Sequence, residues 1–274
     1  MNDDTNKLLN AILDASRRLY NINLQQLYKQ RQQSHPNPFV TFGSKVFSQS
    51  DEDGLIFEIV RRLGILKGTF VEFGVGNGAE NNTLGLAALG WRGEWFGGEP
   101  ISFKMPTDSK VIFNNVWISR ENILTLIGEA VNRMAVKVPN LISIDLDGND
   151  LFLIEAMLSS GYKPQVWICE YNGKFIPPIE FTIEYSATHK WGRSDYFGAS
   201  LTSINKLMLA YNYKAVCCNA ATGANAFFVQ QSDFHLFPEV PDDLLKIYAT
   251  PNYNLLNYYG HNISEETIIS CLRE

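Results

Sequence analysis

Cysteine and histidine are scarce in this sequence, four of each in 274 residues. Cys169, Cys217, Cys218 and Cys271 lack the paired spacing of a zinc site, and two of them adjoin in an apolar run that reads as strand filling. This excludes a disulfide scaffold and makes a reduced compartment the expectation. Basic residues are in the minority, 23 against 29 acidic, for a net charge of −6. No basic face for nucleic acid is therefore expected. No stretch reaches the roughly 18 uninterrupted apolar residues of a membrane span. The opening MNDDTNKLLNAILDASRRLY is polar and acidic, unlike the basic-then-apolar pattern of a secretion signal. A cytoplasmic protein without an integral membrane segment is the expectation.

Apolar residues are plentiful, at 45%, enough for one large α/β domain or two small ones. Leu8, Leu9, Ile12, Leu13, Leu19, Ile22 and Leu27 recur at helical spacing before Pro36 and Pro38 break the chain. The pattern predicts a helical extension over 1–45, packed on the core or pairing two copies into a homodimer. From Thr69 onward short apolar runs alternate with helical patterns. Strands are predicted at 69–73, 94–98, 111–117, 141–145, 166–170, 213–218 and 225–229, and helices near 55–63, 80–89, 121–134, 151–159 and 200–211. Such alternation predicts a parallel Rossmann-like sheet with crossover helices. Too few residues separate the last two strands for a crossover, so the last runs antiparallel. The expected domain covers 46–232, with a tail, 233–274, packed on the core.

The stretch TFVEFGVGNGAENNT, Thr69–Thr83, carries glycines at 74, 76 and 78 after a strand, where doubly wound sheets bind ligands. Gly74-x-Gly76-x-x-Ala79 also satisfies the dinucleotide fingerprint, so a nicotinamide enzyme has to be weighed. Glu72 separates the two readings. A carboxylate beside the turn repels a pyrophosphate but suits the amino group and sulfonium of S-adenosylmethionine. The alternative for Glu72 is a buried cap on a neighbouring backbone group. VEFGVGNG resembles motif I of the class I S-adenosylmethionine-dependent methyltransferases, which implies that Glu72, Gly74, Gly76, Asn77 and Gly78 hold the cofactor. Glu99 closes the second strand, 25 residues beyond Gly74, where an acid grips ribose hydroxyls in either cofactor class.

SIDLDGND crowds Asp145, Asp147 and Asp150 into six residues. Period-two alternation puts Asp145 and Asp147 on one strand face, and Asp150 opens the next helix. Carboxylates this close need a cation or a shared proton. Glu170 and Asn172, in CEYN, end the adjacent strand, and Asp147 with Glu170 and Asn172 could hold Mg²⁺. The alternative is helix capping and substrate hydrogen bonding without metal.

The acidic loop with CEYN is similar to FkbM-type sugar methyltransferases, and SQSDEDG at 48–54 resembles a segment upstream of motif I there. Collinear over roughly 46–230, the resemblance extends to O-antigen sugar O-methyltransferases, the perosamine-capping type included. It implies that Gln49, Glu52 and Asp53 border the cofactor and that Asp145 belongs to its pocket. It also implies a sugar or glycan acceptor, free, nucleotide-linked or lipid-linked. Deprotonating a sugar hydroxyl requires a base or a metal. Asp147 and Asp150 are the candidates in the loop and His189 the alternative, on a segment whose Trp191 and Tyr196 can stack on sugar rings. A nicotinamide-dependent oxidoreductase and a non-catalytic nucleotide-binding protein are the competing functions.

Overall fold

The computed structural model describes residues 3–252 and 265–273. Among these residues, seven strands form one sheet, β1 (Thr69–Phe73), β2 (Arg92–Gly97), β3 (Val111–Asn115), β4 (Leu141–Ile144), β5 (Val166–Glu170), β6 (Tyr213–Cys218) and β7 (Asn225–Gln230). Their order is β3-β2-β1-β4-β5-β7-β6. β1 to β5 pair in parallel, while β7 runs antiparallel to both β5 and β6. The expected mostly parallel Rossmann-like sheet is what forms, and the antiparallel strand, last in the chain, inserts between β5 and the edge strand β6.

The central strands are buried along their whole length. β1, TFVEF, has no exposed position, as expected for a parallel strand covered on both faces. The covering helices are α2 (Glu52–Arg62), α3 (Leu84–Ala88), α4 (Ile123–Met134), α5 (Asp150–Ser159) and α6 (Leu201–Ala210), with short α7 (Leu244–Ile247) and α8 (Glu265–Leu272) in the tail. α4 buries Ile123, Ile127, Ala130, Val131 and Met134, a single stripe at 3.6-residue spacing. It stops where Ala135 turns left-handed at φ +55°.

One ion pair bolts α4 to the sheet. Glu94 on β2 is fully buried and takes both Nε and Nη2 of Arg133, at 2.7 and 2.5 Å, with the Asn114 amide at 3.0 Å. The tail is held by Arg62, whose guanidinium lies over the rings of Phe39, Phe42 and Phe237 and pairs with Glu239. In α8, Ile268 and Leu272 join the core.

The N-terminal helix α1 spans Asp3–Ser34, within the predicted extension. Its second half docks on the body. Leu24 and Tyr28 pack on Ala221, Arg31 donates to Ala220 O at 2.6 Å, and Gln32 donates to Asp51. Residues 4–20 are exposed without exception.

Candidate active site at the strand ends

The glycine turn leaves β1 through Gly74, at φ +93°. A β carbon there would sit 1.6 Å from Asp145 O on the neighbouring strand end, so the crossing requires glycine. Gly76 is also left-handed, at φ +51°, with open space where a side chain would point. Gly74, Gly76 and Asn77 form one wall of a cavity of about 160 Å³, and Gln49, Glu72, Asn81, Asp145 and Asn225 help to form the rest. Gly78 shapes the turn from behind, against Ile101 and Phe103, and is not in the wall.

Glu72 does two things at once. It is 5% exposed and lines the cavity, and its carboxylate accepts the backbone N–H groups of Asn82 and Thr83 at 2.9 and 3.1 Å together with the Thr83 hydroxyl. Trp95 in turn donates its indole N–H to that hydroxyl at 2.8 Å. Burial pushes the Glu72 carboxyl up to about 7 against the pull of these hydrogen bonds. The backbone N–H groups of the turn just ahead of α3 are thus already taken by a side chain. In dinucleotide folds that position receives the pyrophosphate.

Two buried amides sequence reasoning missed point into the same cavity. Asn81 is 3% exposed, its amide beside the Glu72 carboxylate and otherwise without a partner, and Asn225, also 3% exposed, has an unpaired Oδ1. Leaving such a group without a partner costs about 1–3 kcal/mol, so these atoms mark where a polar ligand would bond. The Asn pair in GAENNT was the available signal for Asn81. Asn225 had none, because only the insertion of β7 sets it opposite Glu170.

The acidic loop forms a cluster of different membership from the one expected. Asp145, Asp147 and Glu170 each bring one carboxylate oxygen within 4.8 Å of the others. β4 ends at Ile144, so strand alternation is not what joins Asp145 to Asp147; Asp147 arrives through a left-handed turn, φ +53°. Burial, then the neighbouring carboxylates, hold Asp145 and Glu170 well above the ordinary carboxyl range. Asp147 is raised by burial and pulled back by His189. Glu170 Oε2 is buried without a partner. A trio of oxygen donors like this fits Mg²⁺ or a shared proton.

Asn172 does not join it. Its Nδ2 donates to Asp195 O and Phe197 O, both at 2.9 Å, and its Oδ1 accepts from Lys174 N, so it shapes the loop around Phe197 and Asp145 takes its place in the donor set. Asp150 is likewise turned inward. Its oxygens accept Leu146 N at 2.8 Å and Gly148 N at 3.1 Å, which ties down the acidic loop, and burial lifts it to about 6. Asp53 was expected at the cofactor but is 1% exposed, with Oδ2 gathering the N–H groups of Val46, Phe47 and Ser48. Gln49, between these anchors, does face the site. Glu52 reaches it through Asn225, at 3.4 Å. Glu99 lies exposed two residues beyond β2 and lines neither cavity.

A second cavity, about 390 Å³, is walled by Asp145, Asp147 and Glu170 on one side and Trp191 and Phe197 on another; Gln49, Gly74 and Asp145 line both cavities. His189 is not in this wall. It packs on Gly148 beside Asp147 and lines a cavity of about 80 Å³ with Trp117 and Asn149, its Nε2 unpaired. The segment that carries it is fastened by Trp117 Nε1 to Ala187 O at 2.7 Å and Asn149 Nδ2 to Ser186 O at 2.8 Å.

Fold and site together define a doubly wound α/β protein whose adjoining polar and acidic cavities open at the carboxyl ends of its strands. No family model matches the chain, and no curated protein matches it. Among solved structures it is similar to the glycopeptide N-methyltransferase MtfA, determined with S-adenosyl-L-homocysteine. The TM-score is 0.35 at 10% identity, over 69% of this chain and 94% of that one. Among the described residues no helix is long and apolar enough to cross a membrane.

Proposed function

We propose that this chain is an S-adenosylmethionine-dependent O-methyltransferase that acts on a sugar hydroxyl, in the cytoplasmic assembly of a surface polysaccharide such as an O-antigen. The observation that carries this reading is Glu72. Its carboxylate occupies the N–H groups of the turn that leads from the glycines into α3, which disfavours a pyrophosphate there and so a nicotinamide cofactor, while the same side chain gives the adjoining cavity an acidic wall suited to a cation. The unpaired atoms of Asn81 and Asn225 support a polar ligand there.

In this reading the glycine turn, Gln49, Asn81 and Asn225 hold the cofactor. Bound S-adenosylmethionine supplies an electrophilic methyl group on a sulfonium. Trp191 and Phe197 orient the acceptor ring beside the acidic cluster, and Asp147, the exposed member, takes the hydroxyl proton, with His189 as the alternative acceptor. Asp145, Asp147 and Glu170 fit Mg²⁺, which when bound would acidify the acceptor hydroxyl.

Calorimetric titration with S-adenosylmethionine and, in parallel, with NAD⁺ tests the reading, each run repeated with Mg²⁺ and with EDTA. Micromolar binding of the first and silence from the second is expected, and nucleotide sugars and lipid-linked glycans are then screened as acceptors. NAD⁺ binding without an S-adenosylmethionine signal would overturn it.

A further inference from the structure

Glu52 stands in the first turn of α2 yet points away from solvent. An acid at that place ordinarily sits at the surface, where the helix dipole favours it. Here Glu52 is fully buried, and so are Ser50 and Asn219 beside it. Donors converge on its carboxylate. Oε2 accepts Ser50 N at 2.7 Å, while Oε1 accepts Ser50 Oγ at 2.9 Å, Asn219 Nδ2 at 3.1 Å and Asn225 Nδ2 at 3.4 Å. Asn219 in turn accepts Ala224 N and Asn225 N on its Oδ1, at 2.9 and 2.8 Å. Both the backbone and the side chain of Asn225 are therefore held from beneath the cavity it lines.

This arrangement decides which end of the Asn225 amide a ligand meets. A carboxylate surrounded by donors only accepts. The end of Asn225 turned to Glu52 is therefore its NH₂, and Oδ1, buried and without a partner, is the end left for the cavity. The same rule applies to Asn81, whose amide lies beside the Glu72 carboxylate. Its NH₂ belongs to Glu72, and its Oδ1 remains. With Asp145 in the same wall, this part of the cavity offers acceptors. A primary ammonium, with three N–H donors and a positive charge, matches such a set, whereas a carboxylate or phosphate does not.

We propose that Glu52 is a positioning residue: by holding Asn225 Nδ2 it turns Asn225 Oδ1 into the cavity, and so makes this end of the site select a ligand that carries a primary ammonium. The inference rests on the reading of this cavity as an S-adenosylmethionine site, since that cofactor carries such a group, and assigns the selection to a residue that does not itself touch the ligand.

Calorimetric titration with S-adenosyl-L-homocysteine and with its desamino analogue, in which hydrogen replaces the amino group, tests this. The wild type is expected to bind the first about tenfold or more tightly than the second. Glu52→Ala and Asn225→Ala should each remove most of that preference, and the double variant should lose no more than either single one. A Glu52 that merely anchors its loop would weaken both ligands alike and leave their ratio intact. Because Glu52→Ala strands buried donors, a measurement on the wild type stands beside it. In protein labelled at asparagine, the Asn225 side-chain NH₂ resonances, assigned by their loss in Asn225→Ala, should exchange slowly with water before ligand is added and change little afterwards. An NH₂ that exchanges freely until the ligand binds overturns the inference, as do additive losses in the double variant. Wild-type binding without preference for the amino group overturns it alone, whereas silence from both S-adenosylmethionine and S-adenosyl-L-homocysteine removes the cofactor reading and this inference with it.

Discussion

Glu72 grips Thr83 twice, through the backbone N–H at 3.1 Å and through the side-chain hydroxyl. The strand end and the start of α3 are thereby one unit, closed by Trp95 on the same hydroxyl. A carboxylate in the second-last position of a buried strand is explained by both readings weighed for it. Glu72 holds backbone N–H groups ahead of α3 and it lines a cavity.

The titration of Glu72 has a defined sign. Its folded value of about 7 lies above its ordinary 4.5. Between these values the folded chain holds a proton that the unfolded chain has released. This contribution to stability is full below about pH 4.5 and is lost as pH rises through 7, at up to ~1.4 kcal/mol per pH unit. Urea unfolding at several pH values from 5 to 7 should give a curve for Glu72→Gln lacking this decline. Parallel curves for the two proteins would contradict the assignment.

Asn81 is predicted to separate stability from ligand binding. Its buried amide has no partner beyond the neighbouring Glu72 carboxylate in the free protein, so Asn81→Leu should leave the melting temperature nearly unchanged. The same change should weaken S-adenosylmethionine binding by about tenfold or more, at ~1.4 kcal/mol per decade. Unchanged affinity by calorimetry would remove Asn81 from the cofactor site.

Asp147→Ala should lower turnover by roughly two to four orders of magnitude, the usual contribution of a positioned base, while cofactor affinity stays within a few-fold. Radiolabelled methyl transfer to the acceptor reports the first quantity and calorimetry the second. Asp150→Asn, by contrast, should show itself first as a lower melting temperature, because Asp150 holds the loop through Leu146 and Gly148. Full activity in Asp147→Ala would move the proton acceptor to His189.

Away from the site, Arg133→Ala strands the fully buried Glu94 carboxylate. A loss of about 3 kcal/mol is expected, readable as a lower urea midpoint. Replacing both partners with apolar residues should recover much of it, and failure to recover would mean that Arg133 acts chiefly through packing.

Strand positions were legible because each is a short, bounded apolar run, and the strand directions followed from which runs had room for a helix between them. The lining of the candidate cavity was legible where chain neighbours determine it, as in the glycine turn and Glu72. It was not legible where sequence adjacency misleads about direction. Asp53, Asp150 and Asn172 sit beside true cavity residues yet turn inward to satisfy backbone groups. Glu170 was foreseen and Asn225 was not, because Asn225 faces it only by virtue of an insertion between strands that local pattern does not encode.

That insertion sets an order of events during synthesis. β7 needs β5 on one side and β6 on the other, so no part of its slot is complete until residue 230 has left the ribosome. Up to that moment β5 and β6 carry unpaired edges, and the wall that Asn225 supplies does not exist. A chain cut short before Asn225 would thus keep the glycine turn and the acidic loop while lacking the strand that brings them a common floor.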